Sequence, residues 1–202
     1  MRYQPLPRAA EPTFQALLDA TAARHNHLCP RQVLGVRMGQ HAATLFKLPL
    51  PQRNKRLIAF VETDGCFADG VAVATGCELG HRTLYLMDYG KSAVTLADTH
   101  TGQAFRLWPH PAARNRALQA EPTAKSRWHA MVSAYQTLPA DQLLCWQPVT
   151  LTLDLVALVS RPGVRTQCDR CGEEIINQRE VQHDGQTLCR ACADGAYYHP
   201  VP

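Results

Sequence analysis

With 202 residues, 22.4 kDa and 46% hydrophobic content, the chain can hold one sizeable domain plus a small module and is too apolar to stay disordered. The longest uninterrupted aliphatic stretch, Leu155 to Val159, falls far short of a membrane span. The start, Met1-Arg-Tyr-Gln-Pro-Leu-Pro7, lacks the apolar core of an export signal, so a cytoplasmic protein is expected. The net charge of +4 divides unevenly, with 16 Lys/Arg against 11 Asp/Glu in residues 1–160 and 5 against 6 in residues 161–202. A C-terminal module that reads nucleic acid through positive charge is thereby disfavoured.

Phe14, Leu17, Leu18 and Ala22 predict an amphipathic helix from about Thr13. It leads into His25-Asn-His27-Leu-Cys29-Pro30, two imidazoles and a thiol within a few residues. Pro30 is a favoured first helical residue, and Leu34, Met38, Ala42 and Leu45 recur at helical spacing to an end near Phe46, which puts Cys29 at or beside an N-cap. Backbone N–H groups and the helix dipole there favour the thiolate, the form that binds metal or attacks electrophiles. The alternative is a buried, inert cysteine beside two surface histidines.

After a proline-bearing loop, Leu57-Ile-Ala-Phe-Val-Glu62 reads as a largely buried strand whose end delivers Cys66. Residues 67–75 suit a short helix, closed by Gly76 and followed by Cys77. Thr83 to Asp88, Ala93 to Ala97 and Gln103 to Trp108 are further strand candidates, the last two joined through Thr101-Gly102. Pro109 and Pro111 interrupt the pattern, two helices are expected over about 112–120 and 123–137, and Val149 to Asp154 reads as a last strand. Cys145 reads as a packed core thiol. Helices interspersed with hairpin-spaced strands predict an α+β domain over residues 1–160.

Cys66 and Cys77 both fall at turns beside glycine, where a backbone can approach a ligand closely. With His25, His27 and Cys29 they make five candidate ligands for one core site, which would hold Zn²⁺ or another transition ion. Asp69 either orients an imidazole or caps a helix. Lys91, in Asp88-Tyr-Gly-Lys91, is either an assisting cation or a solvated hairpin lysine.

Arg161-Pro-Gly163 marks a boundary, after which residues 161–202 hold Cys168-x2-Cys171 and Cys189-x2-Cys192, with a tight turn at His183-Asp-Gly185 midway. Four thiolates at this spacing match a structural Zn²⁺ site: two knuckles, a hairpin between them and a helix from the second, a treble clef. The ligand set is complete, so the site is structural.

Together, HNHLCP, ETDGCFADG, TGCELG, MDYGKSA and the terminal CDRC…CRAC resemble the FmdE family, named for the E component of formylmethanofuran dehydrogenase, over roughly residues 13–195. The resemblance implies a thioredoxin-like α+β core, a mixed sheet flanked by helices, with a metal-binding active site at His25, His27, Cys29, Cys66 and Cys77, and, in the longer members, a treble-clef zinc finger. The chain departs from the family's usual glycine at Asn26 and Arg31 and from its usual threonine at Glu78. Arg31 and Glu78 bring charge to the pocket that the resemblance implies.

Two functions compete. One is a metal-handling or metallocofactor-maturation protein with metal ions as ligands and a metalloenzyme or maturation partner, a homodimer being left open. The other is an enzyme in which a metal-activated water or the Cys29 thiolate attacks and Lys91 or Asp69 assists. The core has no Cys-x-x-Cys pair, which lowers the weight of a disulfide oxidoreductase.

Overall fold

Thr13 opens the first helix, α1 (Phe14–Ala23), by accepting a hydrogen bond from the Ala16 N–H on its side chain. The computed structural model describes residues 12–159, 163–199 and 201. After α1 the chain reverses at Asn26, whose φ of 58° lies in the left-handed region that asparagine tolerates better than most residues. It then enters α2 (Pro30–Phe46) with Cys29 as N-cap and Pro30 at the first turn. Gln32, fully buried, ties the two helices together: its Oε1 accepts from Cys29 N–H at 2.7 Å and its Nε2 donates to the Thr21 carbonyl at 2.8 Å.

Next come β1 (Leu57–Val61), buried along its whole length, and α3 (Cys66–Thr75). Helices α2 and α3 lie side by side in the same direction, Gly35 against Phe67–Val71 and Gly39 against Ala74. The approach is backbone to backbone. A Cβ on Gly35 would stand 2.6 Å from the Phe67 carbonyl oxygen, and one on Gly70 would meet the Gln32 carbonyl. This contact brings the N-cap of α2, Cys29, and the first residue of α3, Cys66, to one end of the layer.

Strands β2 (Leu84–Leu86), β3 (Val94–Asp98), β4 (Ala104–Pro109) and β5 (Leu144–Pro148) complete a five-stranded mixed sheet of order β2-β1-β3-β4-β5. Only the β1–β2 pair is parallel, joined through α3, and the rest form an antiparallel meander. Leu57, Ala59, Val61, Val94, Leu96 and Leu107 point into one continuous apolar core with α1, α2 and α3. Helices α4 (Ala113–Ala120), α5 (Arg127–Thr137) and α6 (Ala140–Leu143) lie between β4 and β5. Arg37 of α2 reaches the end of α5, donating to the carbonyls of Tyr135, Gln136 and Leu138 at 2.7, 3.0 and 2.7 Å, so those orphan acceptors are satisfied.

The expected α+β class and mixed sheet flanked by helices are found, with two local corrections, to the last strand and to Cys145, expected as a packed core thiol. Residues 149–154 form no strand; the fifth strand is Leu144–Pro148, which places Cys145, only partly buried, opposite Trp108. Pro148 fits there because β5 is an edge strand, where a missing N–H goes unmissed. The aliphatic run Leu155–Val159 is a short helix, α7.

Contacts divide the chain into Met1–Leu153 and Asp154–Pro202. The division falls ahead of the boundary read at Arg161; Arg161 and Pro162 lie outside the described residues. In the second unit, β6 (Arg165–Gln167) pairs with β7 (Glu174–Ile176) and β8 (Val181–His183) with β9 (Gln186–Leu188), both antiparallel. Asp184 and Gly185, at φ 49° and 76°, make the tight turn foreseen at His183-Asp-Gly185. A short helix, α8 (Arg190–Asp194), starts from Cys189 as N-cap. Among the described residues, Cys168, Ile175 and Leu188 are the buried hydrophobic residues of its core, too small a set to hold such a unit by burial alone.

Candidate functional site

The strongest donor set is in the second unit. The sulfurs of Cys168, Cys171, Cys189 and Cys192 all lie within 4.8 Å of one another. The Cys171 and Cys189 sulfurs are 3.9 Å apart, against an edge of about 3.8 Å for a tetrahedron of thiolates around a 2.3 Å metal–sulfur bond. The set is thus close to what a tetrahedral ion needs. Backbone N–H groups of Cys171 and Cys189 lower the Cys168 thiol to about 6, the latter N–H lying 3.3 Å from its sulfur. Once that sulfur is ionised two neighbours resist: Cys171 is raised, and Cys192, beside Cys189, is pushed up to about 12. Four thiolates at neutral pH thus need a cation among them.

In the first unit the structure brings together three of the five core candidates. His25 and Cys66 face each other, Nδ1 to Sγ 3.9 Å, and Cys29 lies close enough to act on the Cys66 thiol electrostatically. Burial, then the neighbouring Cys29, raises the Cys66 thiol. His25 is held from behind: its Nε2 lies 2.6 Å from Asp69 Oδ2, and Arg24 donates to Asp69 Oδ1 at 3.0 Å. Of the two readings open for Asp69, the structure shows the imidazole contact.

His27 and Cys77 stand apart. His27 is exposed, with Nδ1 donating to the His25 carbonyl at 2.8 Å and its ring centroid 6.1 Å from that of His25. Cys77 lies beyond the far end of α3 from Cys66, about 15 Å along the axis at 1.5 Å per residue. It is fully buried, its sulfur 3.3 Å from the Leu57 carbonyl, and burial pushes its thiol up to about 11. The glycine beside it serves the turn: Gly76 takes φ 76° and approaches Gln52 too closely for any side chain. Among the described residues, only the four terminal cysteines form a group of three or more ligand atoms within 4.8 Å of one another.

Cys29 and Cys66 line a cleft of about 810 Å³. It lies off the carboxyl ends of the parallel strands β1 and β2, where open α/β sheets place ligands. Lys91 lines it too, so the lysine of Asp88-Tyr-Gly-Lys91 belongs to the pocket wall. Its placement comes from Glu62, whose carbonyl accepts from both Tyr89 N–H at 2.9 Å and Lys91 N–H at 3.1 Å. The Glu62 side chain is buried in a bidentate pair with Arg106, at 2.7 and 2.8 Å, and that pairing raises the Arg106 guanidinium. Arg106 in turn lies 5.1 Å over the Trp108 ring. The remaining wall, from Trp108 to Arg114 and along α5, went unread in the sequence because its residues follow no ligand spacing.

The four-cysteine cluster, accompanied by a mixed-sheet unit in which two thiols line a cleft, defines a metal-binding class of protein. Residues 24–145 match the family described as "FmdE, Molybdenum formylmethanofuran dehydrogenase operon". The chain belongs to that FmdE family. It is also similar to a tungsten formylmethanofuran dehydrogenase FmdE-like protein from Syntrophus aciditrophicus, with a TM-score of 0.61 and 21% identity over 93% of this chain and 96% of that one; the likeness establishes the fold. A "Probable S-adenosyl-L-methionine-binding protein" from Archaeoglobus fulgidus is 36% identical over 87 residues, 42% of this chain and 24% of that protein. The match thus spans about a quarter of that relative's length.

Proposed function

We propose that this FmdE-family chain handles a soft transition ion at His25, Cys29 and Cys66, and that it is accessory to a metalloenzyme or to the maturation of its metallocofactor. The observation that carries the reading is the facing pair, His25 Nδ1 and Cys66 Sγ, with Asp69 against the other ring nitrogen and with Cys66 and Cys29 lining an open cleft. Two thiols and one imidazole are an incomplete tetrahedral set, which suits exchange better than permanent structure. An ion bound there would act as a Lewis acid toward whatever entered the cleft. The residues' own work is separate: Asp69 holds the His25 ring orientation, and the α2–α3 contact sets the spacing of the sulfurs.

The descriptions of the family and of the S. aciditrophicus protein, both naming formylmethanofuran dehydrogenase, support the accessory role. Zn²⁺ suits the four terminal cysteines, whose sulfurs match its bond length. Among the described residues no helix is long and apolar enough to cross a membrane, and all eight cysteines are free, as in the reducing cytoplasm where we place the protein.

The test is metal analysis of a variant with all four terminal cysteines replaced by serine. About one equivalent of transition metal should remain, and should fall on Cys29→Ser or Cys66→Ser. A variant that binds no metal at the core sinks the proposal. The size of the cleft favours a second reading, an enzyme using the Cys29 thiolate beside Lys91; fast alkylation of Cys29 at mildly acidic pH in metal-free protein would support it.

A further inference from the structure

We infer that the Cys29–Cys66 cleft binds an organic anion, a flat aromatic molecule bearing a phosphate or comparable anionic group. This goes beyond metal handling, because it rests on the wall opposite the thiols rather than on the donor set. Arg31, Lys91 and Arg114 line the cleft, and no aspartate or glutamate among the described residues does. None of the ion pairs formed among the described residues involves these three cations. Arg114 lies close enough to Tyr135, itself buried, for its charge to favour the phenolate, while burial opposes it.

Cations of one sign gathered around a concavity repel one another unless an anion enters, and a concave wall focuses their field. A solvated positive face would account for one such residue on a helix. It does not account for three, supplied by α2, by the turn after β2 and by α4, converging on one cavity. The N-terminal ends of α2 and α3, at Cys29 and Cys66, add positive potential of the same sense.

The rest of the wall sets the body of the ligand. Trp108, Trp128 and Tyr135 line it, Trp128 being 41% exposed although it is among the largest apolar side chains. An exposed indole at the rim of a cationic cleft is a surface on which a planar ring can stack. The volume, about 810 Å³, is that of a small-molecule site rather than an ion site.

Paired probes test the inference on the full-length protein, read by tryptophan quenching and by calorimetry: adenosine 5′-monophosphate against adenosine, 1-naphthyl phosphate against 1-naphthol, and inorganic phosphate alone. Each aromatic phosphate should bind on the order of tenfold tighter than its neutral partner, the value of one charge-assisted hydrogen bond. Arg31→Gln and Lys91→Gln should each remove most of that difference, and Trp128→Ala should weaken both members of a pair. The inference is overturned if no aromatic phosphate binds below about 10 mM, if the neutral partners bind as well, or if inorganic phosphate binds as tightly as the aromatic ones. Metal content measured on the same samples keeps the two readings apart. Core metal without anion binding sinks this inference alone, whereas anion binding to a Cys29→Ser, Cys66→Ser variant that holds no core metal leaves it standing.

Discussion

Asp69 Oδ2 lies 2.6 Å from His25 Nε2, on the side of the ring away from Cys66. A carboxylate in that position fixes the imidazole's orientation and makes Nδ1 a better donor to a metal. Asp69→Asn keeps the shape and removes the charge. Core metal affinity should fall about 10–100-fold, measured by competition with a chromophoric chelator, while thermal stability changes little because Asp69 is partly exposed. Unchanged affinity would mean that His25 is not a ligand.

Gly35→Ala should separate the thiols as well as destabilise the fold. The new methyl would meet the Phe67 carbonyl at 2.6 Å, so α2 and α3 must move apart. Overpacking of this kind costs about 1–3 kcal/mol, readable as a lowered urea midpoint. The same variant should form a Cys29–Cys66 disulfide more slowly under mild oxidant. A midpoint equal to wild type would contradict the close contact.

Cys77 should behave as an inert thiol and as an alkaline weak point. Its folded thiol, at about 11, lies above the ordinary value near 8.5 of an unfolded chain. The folded state therefore holds the proton more tightly. That contribution is intact below the unfolded value and is lost as pH rises through the folded one. Unfolding should grow easier between roughly pH 8.5 and 11, and Cys77→Ala should flatten this slope. At neutral pH, mass spectrometry after iodoacetamide should find Cys66 labelled well before Cys77.

Asp98 is the acid counterpart. Burial alone would raise its carboxyl, but Arg56, bidentate at 2.9 to 3.2 Å, and the His100 N–H hold it below the usual range. Its contribution is present above the unfolded value, about 3.9, and is lost as pH falls through the folded one. Arg56→Gln should move the acid-unfolding midpoint upward; an unmoved midpoint would assign acid unfolding to other groups.

Removing metal with a strong chelator should unfold residues 163–199 while leaving the first unit folded. Amide exchange should show protection lost at Ile175 and Leu188, whose small core needs the cysteine cluster, and retained in β1. Concerted loss in both units would refute independent folding.

The local elements were legible because their signals are local. Thr13, Pro30 and Gly76 punctuate helices, and five buried residues in a row mark β1. β5 escaped because Leu144 to Pro148 is short, half-exposed and proline-bearing, and the neighbouring Val149 to Asp154 alternates more regularly. At the site, adjacency to glycine misdirected the reading of Cys77, whose position depends on the length of α3 and not on its own neighbours. Arg114 and Trp128 could not be assigned to a cleft from sequence, since only the packing of α4 and α5 carries them there. Asn26 shows the opposite case: a left-handed turn is written in one residue, and the departure from glycine leaves the backbone route intact.

Glu62 follows directly on β1, and from it the chain runs on to Cys66 while its carbonyl anchors the turn bearing Lys91. Thiol wall and lysine wall are therefore hung from the same post. Both take their position from the end of one interior strand of the sheet rather than from two unrelated loops. Widening the cleft therefore disturbs two walls at one shared anchor, and selectivity by size begins with the scaffold before any side chain makes contact.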